Sequence, residues 1–341
     1  MPDDPNIQMR KREHVEIVLN QPEVERGASG FESIRLQHRA LPELNFADLD
    51  SSLDFFGYRL SLPLLISSMT GGSDDFLKRI NRHLAEAAQH CRIAMAVGSQ
   101  RAMIVDPAAA DSFDIRRYAP DVPLFANLGA VQLNYGFGID EARRAVDLLE
   151  ADALILHLNP LQELIQPEGQ ANFSGLAEKI GQLAGQLTVP VILKEIGCGL
   201  SAADIELGLQ AGIRYFDLAG RGGTSWSRIE AQRSDNTLGM TFQDWGLTTV
   251  ESLRQAQPYQ SQATFFASGG LRNGIDMVKS VILGGRVCGL AAPFLKPATE
   301  STAAVVALIE RLKREFQTTQ FLLGAQNIDA LFLNSDLIAN S

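Results

Sequence analysis

The stretch from Val122 to Pro160, VPLFANLGAVQLNYGFGIDEARRAVDLLEADALILHLNP, contains a short apolar run, a turn, an amphipathic segment and a second apolar run. Within it, residues 138–150 (GIDEARRAVDLLE) place apolar side chains every three to four positions, which is the period of a helix with one buried face. The flanking runs VPLFANLG and DALILHLNP are short and nearly continuous, as in strands buried on both faces. The stretch therefore predicts a strand–helix–strand unit with parallel strands.

The same unit recurs along the chain. Apolar runs followed by turns rich in glycine, serine or asparagine begin at Leu62, Arg92, Val122, Asp152, Val189, Ile213, Ala263 and Val287. Eight consecutive strand–helix units close most naturally into a parallel barrel with the helices outside. We therefore predict an α/β fold, a (β/α)8 TIM barrel; an open, doubly wound sheet is the alternative.

Two regions do not fit this repeat. Residues 1–60 contain a basic helical start, from Arg10 to Glu16, and an extended acidic segment. We predict an N-terminal extension over 1–60 and a barrel over 61–341. The polar stretch from Ser225 to Asp244 predicts a long loop after strand six, and long loops at this position often act as lids.

The composition excludes several classes of protein. A net charge of −10 over 341 residues argues against general nucleic-acid binding, which needs a broad basic surface. Three cysteines without a CxxC pair indicate neither a disulfide framework nor a zinc knuckle. The charged N-terminus lacks the apolar core of a signal peptide, and no run of about 18 apolar residues follows. We expect a cytoplasmic protein that binds neither nucleic acid nor membranes.

In a barrel, functional residues lie where the strands end, because the eight following loops converge on one face. In this chain those positions are rich in small and polar residues: SSMTGG from Ser67, GSQR from Gly98, ANLGA from Ala126, HLNPLQE from His157, KEIGCG from Lys194, GRGGTSW from Gly220, SGGLRNG from Ser268 and GLAAPF from Gly289.

The loops after strands seven and eight favour a phosphate site. Their glycines let backbone N–H groups approach phosphate oxygens, and Arg272 supplies a positive charge. Tight turns are the alternative explanation for the glycines.

Lys194, at the end of strand five, suits the N1–O2 edge of a reduced flavin or, alternatively, a Schiff base. Neutral donors and acceptors suited to the polar edge of a heteroaromatic ring and to ribityl hydroxyls follow four other strands: Thr70, Ser99, Asn127 and Thr224. For each of them alone, a turn or cap role is the alternative.

The motif HLNPLQE is the densest group of polar residues. Glu163 offers a single hard oxygen ligand, which is how Mg²⁺ is usually held together with substrate phosphate oxygens and water. A helix cap or a surface salt bridge is the alternative for Glu163. His157, next to an apolar strand, could equally be a hydrogen-bonded core histidine.

The N-terminal segment MRKREHVE places Arg10, Lys11 and His14 on roughly one face of a helix. On an acidic chain such a patch suits a small polyanion such as a diphosphate. Arg101, in the loop after strand two, could add a phosphate contact. A solvated terminal helix is the alternative.

With these motifs the chain resembles the FMN-dependent, type II isopentenyl diphosphate isomerases along almost its entire length. The resemblance is carried by motifs that are specific in combination: RKREH from Arg10, HRALPEL from His38, MTGG from Met69, GSQR from Gly98, HLNPLQE from His157, KEIGCG from Lys194, GGTSW from Gly222 and SGGLRNG from Ser268.

The resemblance implies a set of site residues. Those implied to line FMN are Ser67, Ser68, Met69, Thr70, Ser99, Asn127, Lys194, Thr224, Gly269, Gly270, Leu271, Ala291 and Ala292. Those implied to surround the substrate are Arg10, Lys11, His14, Ser99, Arg101, His157, Asn159 and Gln162, with Glu163 on Mg²⁺.

The resemblance also implies an activity, the conversion of isopentenyl diphosphate to dimethylallyl diphosphate with reduced FMN. Few acids of suitable strength occur near the predicted mouth, so we expect FMN to carry out the proton chemistry, with Gln162 positioning or relaying a proton. His157 and Lys194 complete the predicted catalytic set, Lys194 by tuning the flavin. NADPH as reductant and a homotetramer or homo-octamer are further implications.

Two rival functions agree less well with the sequence. A 2-hydroxy-acid oxidase would need a histidine base late in the barrel, and no histidine follows His157. A non-catalytic barrel that senses a phosphorylated metabolite would need neither Lys194 nor the HLNPLQE group.

Overall fold

The computed structural model describes residues 7–25, 27–69, 71–234 and 236–339, and it confirms the predicted barrel. Eight parallel strands close in the order of the chain, with the last strand paired to the first. They are β3 (Leu64–Ile66), β4 (Ala94–Ala96), β5 (Leu124–Gly129), β6 (Ala153–Leu158), β7 (Val191–Glu195), β8 (Tyr215–Asp217), β9 (Thr264–Ser268) and β10 (Gly285–Leu290).

The α-helices lie before, between and after the barrel strands. They are α1 (Ile7–Asn20), α2 (Asp75–Cys91), α3 (Arg101–Val105), α4 (Ile139–Leu149), α5 (Pro160–Ile165), α6 (Leu176–Ala184), α7 (Ala202–Gln210), α8 (Trp226–Ser234), α9 (Thr237–Thr241), α10 (Thr249–Ala256), α11 (Gly274–Ile282), α12 (Ala292–Glu300), α13 (Thr302–Leu322) and α14 (Ile328–Leu331). None of the helices in the described ranges is long and apolar enough to cross a membrane.

Strand burial explains the continuous apolar runs in the sequence. Every residue of β5 and of β7 is buried, because one face of each strand meets the helices and the other meets the barrel interior. The interior cluster is small and includes Phe125, Ile155, Ile192 and Phe266.

A short antiparallel hairpin closes one end of the barrel. It is formed by β1 (Leu53–Phe55) and β2 (Tyr58–Leu60), which precede the barrel strands. The ring of Phe55 lies 6.3 Å from that of Phe125 and 5.4 Å from that of Phe266, inside the interior cluster. The sequence pattern did not predict this plug. Because the hairpin closes this end, the opposite end of the barrel, where the strands finish, is the open mouth.

The long insertion after β8 is folded into helices. It forms α8 and α9, and α8 contacts α5, α9 and the N-terminal helix α1. Ile229 and Glu230 are fully buried in this packing. The insertion and α1 together therefore form one wall of the barrel mouth.

Candidate active site

A deep cavity of about 260 Å³ opens at the carboxyl ends of the barrel strands. Residues from the loops after all eight strands line it, together with Arg10, Lys11, His14, Val15 and Val18 of α1. The convergence follows from the parallel barrel, because every strand ends on the same side.

The structure brings the predicted site residues together at this cavity. Every one of them within the described ranges contributes to its lining, from Arg10 on α1 to Ala292 after β10. Thr70 lies outside the described residues. The lining also contains residues that the sequence reasoning did not select as site residues, among them Gln132, Gln166, Trp226 and Ser268.

The loop after β9 brings its backbone close to the loop after β8. Gly269 and Gly270 have φ values of +97° and +81°, in the left-handed region that disfavours side chains. A Cβ at Gly269 would lie 2.0 Å from the carbonyl oxygen of Gly220, so only glycine fits there. The glycines thus allow the two loops to pack closely, and both line the cavity with Arg272 beside them.

Lys194 forms a buried ion pair with Asp217 at the base of the mouth. The Lys194 Nζ lies 2.7 Å from Asp217 Oδ2 and donates a 3.2 Å hydrogen bond to Ser268 Oγ. Ser268 in turn donates to Asp217. Sequence reasoning missed Asp217, although it is the one carboxylate in the apolar run IRYFDLAG from Ile213. In the barrel it is the direct register partner of Lys194 on β7.

His157 is held neutral beside this pair. Burial, followed by the positive charges of Lys11 and Lys194, lowers the pKa of His157 to about 4. Its Nδ1 lies 2.8 Å from Oδ1 of Asn127, whose amide nitrogen donates to Ser68. This orientation of Asn127 assigns the imidazole proton to Nδ1 and leaves Nε2 as an acceptor.

Asn159, Gln162 and Glu163 of the HLNPLQE motif form one hydrogen-bond network. Asn159 Nδ2 donates to Gln162 Oε1 at 3.0 Å and to Glu163 Oε1 at 2.9 Å. The second carboxylate oxygen of Glu163 accepts from Gln166 Nε2 and from the Gln170 amide at 2.7 and 2.6 Å. Glu163 is thus a buried carboxylate. It is neither a helix cap nor part of a surface salt bridge, which were the two alternatives from the sequence.

Glu230 joins this network to the N-terminal helix. Its Oε1 accepts a 2.8 Å hydrogen bond from Gln162 Nε2 and lies 3.1 Å from His14 Nε2, while Oε2 accepts from Arg233 at 2.8 Å. Burial alone would raise the pKa of Glu230, but His14, Gln162 and Arg233 together lower it to about 2. Sequence reasoning missed Glu230, because the polar helix α8 gives no pattern that reveals its buried face.

The predicted face of α1 is turned toward the mouth. Lys11 Nζ donates a 2.7 Å hydrogen bond to the Ser99 carbonyl, whereas the neighbouring Arg12 pairs with Asp74 at the surface. Burial, with the charges of Arg10 and Arg101, lowers the pKa of Lys11 to about 7. A solvated terminal helix is therefore excluded as a description of this face.

The donor set fits a flavin mononucleotide and one magnesium ion. A buried cation, neutral amides and hydroxyls, and a glycine-rich corner with Arg272 match the ring, the ribityl chain and the phosphate. No group of three His, Cys, Asp or Glu side chains in the described ranges could cage a metal. Glu163 offers a single buried carboxylate. Nearby, the buried Asn159 Oδ1 has no hydrogen-bond partner among the described residues.

Comparison with known proteins first defines the class. The chain has the fold of solved flavin barrels: a flavocytochrome b2 variant (TM-score 0.67, 17% identity, 99% of this chain and 80% of that one) and a mandelate oxidase variant with 2-hydroxy-phenylacetamide (TM-score 0.62, 17% identity, 95% of each). The sequence model of the FMN-dependent dehydrogenase family matches residues 159–339.

Curated relatives narrow the class. The chain is similar to three proteins named isopentenyl-diphosphate delta-isomerase. It is 61% identical to that of Hydrogenovibrio crunogenus, over 99% of both chains, and 55% identical to that of Paracoccus zeaxanthinifaciens, over 98% of both. It is 49% identical to that of Nostoc sp., over 96% of this chain and 95% of the relative. The chain therefore belongs to the FMN-dependent, type II isopentenyl-diphosphate delta-isomerases, a family of enzymes.

Proposed function

We propose that this protein converts isopentenyl diphosphate to dimethylallyl diphosphate, with reduced FMN as acid–base cofactor and Mg²⁺ on the diphosphate. One observation carries the proposal. A single cavity is bounded by a buried lysine suited to a flavin edge, Lys194, and by the cationic face of α1, which suits a diphosphate. NADPH as reductant and a homotetrameric or homo-octameric assembly remain part of the proposal on family resemblance.

The cationic face of α1 is assigned to the diphosphate. Arg10, Lys11 and Arg101 line the same cavity. Burial, followed by the charges of Arg10 and Arg101, lowers the pKa of Lys11, and an anion in the cavity would offset both effects. His14 contributes from the same face and is itself held beside Glu230.

Glu163 is assigned to the metal ion. Its buried carboxylate is oriented by Asn159, Gln166 and the backbone of Gln170, so little ordering remains when an ion binds. A single protein carboxylate leaves coordination positions for diphosphate oxygens and water, as Mg²⁺ usually requires.

Double-bond migration needs a proton added to an unactivated alkene and an allylic proton removed. Bound reduced FMN supplies this acid–base chemistry. Gln162 is assigned to guide the proton at the cavity wall, because its amide is fixed at both ends by Asn159 and Glu230. His157, neutral and with Nε2 as acceptor, adds a hydrogen-bonding group without a second positive charge.

The test is an anaerobic incubation of the purified protein with FMN, NADPH, Mg²⁺ and isopentenyl diphosphate, with omission of each component in turn. We expect dimethylallyl diphosphate only when FMN, reductant and Mg²⁺ are all present. Full activity without flavin or with a metal chelator would refute the proposed roles of those groups.

A further inference from the structure

A segment of the N-terminal extension crosses the two loops that form the glycine-rich corner. This segment, the strap, comprises residues 22–25 and 27–29. The Ser225 amide donates a 2.8 Å hydrogen bond to the Val24 carbonyl, and Glu25 forms an antiparallel bridge with Thr224. A Cβ at Gly222 would lie 2.4 Å from Ser29, so the strap rests directly on the loop after β8.

The carboxylate of Glu25 holds one residue from each loop. Its Oε1 accepts a 2.5 Å hydrogen bond from the Thr224 hydroxyl, and its Oε2 accepts from Nη2 of Arg272. Thr224 and Arg272 both line the cavity, whereas Glu25 stands behind them and is not part of the lining. Its side chain is 27% exposed, so the contacts are partly shielded from water.

We propose that Glu25 is a positioning residue for the cofactor. It fixes Arg272 at the cavity wall for the phosphate, and it orients the hydroxyl of Thr224 beside it. The inference rests on the proposed cofactor site. It makes the N-terminal extension part of the flavin site as well as of the substrate site.

The two contacts have different chemical consequences. The Thr224 hydroxyl gives its only proton to Glu25, so its oxygen presents lone pairs to the cavity and accepts from a ligand hydroxyl, such as one on a ribityl chain. Arg272 uses Nη1 for the Leu271 carbonyl and Nη2 for Glu25. Its guanidinium plane is thereby fixed, and its remaining N–H groups can approach a phosphate in one orientation.

The test compares two flavins that differ only in the phosphate. The dissociation constants of FMN and riboflavin are measured by flavin fluorescence for the unaltered protein, Glu25→Gln and Arg272→Met. Glu23→Gln, an exposed position on the same strap, is the matched control. We expect Glu25→Gln to weaken FMN binding by about tenfold, which is the lower end of the effect measured for residues that orient metal ligands. Riboflavin binding should change much less, and the control should leave both constants unchanged.

A double substitution separates positioning from a general effect on folding. If Glu25 acts through Arg272, adding Glu25→Gln to Arg272→Met, which has no cation to position, should change the FMN to riboflavin ratio by less than twofold. Equal weakening of both flavins, or tighter FMN binding in Glu25→Gln, would overturn the inference. Failure of the unaltered protein to bind FMN would overturn the cofactor site itself, which is a distinct result.

Discussion

The side-chain amide of Gln162 donates a 2.8 Å hydrogen bond to Glu230, whose carboxylate is completely buried. The carbonyl oxygen of the same amide accepts from Asn159. Because one partner only accepts and the other donates, the orientation of the Gln162 amide is fixed. The contact also links α5 to α8 and, through His14, to the helix assigned to the substrate diphosphate.

Replacing Gln162 with Leu should remove the proton-guiding group while keeping the size of the side chain. We expect kcat to fall by about 100-fold or more, the range that general acid–base groups contribute, with KM changed by only a few fold. Steady-state kinetics under anaerobic conditions measures both constants. A KM effect with an unchanged kcat would show that Gln162 only binds substrate.

Substrate affinity should depend on pH through Lys11. The pKa of Lys11 is lowered to about 7, so the free enzyme carries this charge below pH 7 and loses it above. A diphosphate favours the charged form, so above pH 7 binding takes up a proton and KM rises by up to about tenfold per pH unit. Lys11→Arg keeps the charge and should flatten this rise. Identical pH profiles for the two proteins would exclude Lys11 as the titrating group.

Glu163→Gln should weaken the response to magnesium. The substitution keeps the shape of the side chain and removes the charge, so the Mg²⁺ concentration for half-maximal activity should increase by about tenfold or more, equivalent to about 1.4 kcal/mol. Glu168→Gln is the matched control, because Glu168 lies on the same segment and pairs with Arg233. An unchanged magnesium dependence in Glu163→Gln would refute its assignment.

The effects of replacing Lys194 and Asp217 on the free energy of unfolding should not be additive. Lys194→Met alone leaves a buried carboxylate without its cation and should lower the free energy of unfolding by about 3–5 kcal/mol. Adding Asp217→Asn should recover most of that loss, as thermal or urea unfolding would show.

In the FMN-loaded proteins, the flavin reduction potential should fall more in the single variant Lys194→Met than in the double variant with Asp217→Asn, because only the single variant leaves an uncompensated negative charge. Equal potentials in both variants would argue against electrostatic tuning by Lys194.

The barrel and most of the cavity lining were predictable because both follow from local patterns. Strand–helix repeats decide the fold, and the residues that end the strands, such as Asn127 and Lys194, must meet at one face. The hydrogen-bond partners were not predictable in the same way. Glu25 lies 199 positions from Thr224 and 247 from Arg272 along the chain, and Glu230 lies 68 from Gln162. Such contacts depend on how α1, the strap and α8 pack, which no local period reveals.

We propose that the double bond moves with no net change in the oxidation state of either the substrate or the flavin, and one anaerobic measurement tests this most directly. The protein is loaded with FMN, reduced chemically without NADPH, and mixed with Mg²⁺ and isopentenyl diphosphate while product and flavin absorbance are followed together. Dimethylallyl diphosphate should accumulate in large excess over enzyme while the flavin stays reduced. Absence of product, or oxidation of one flavin for each product formed, would contradict the account.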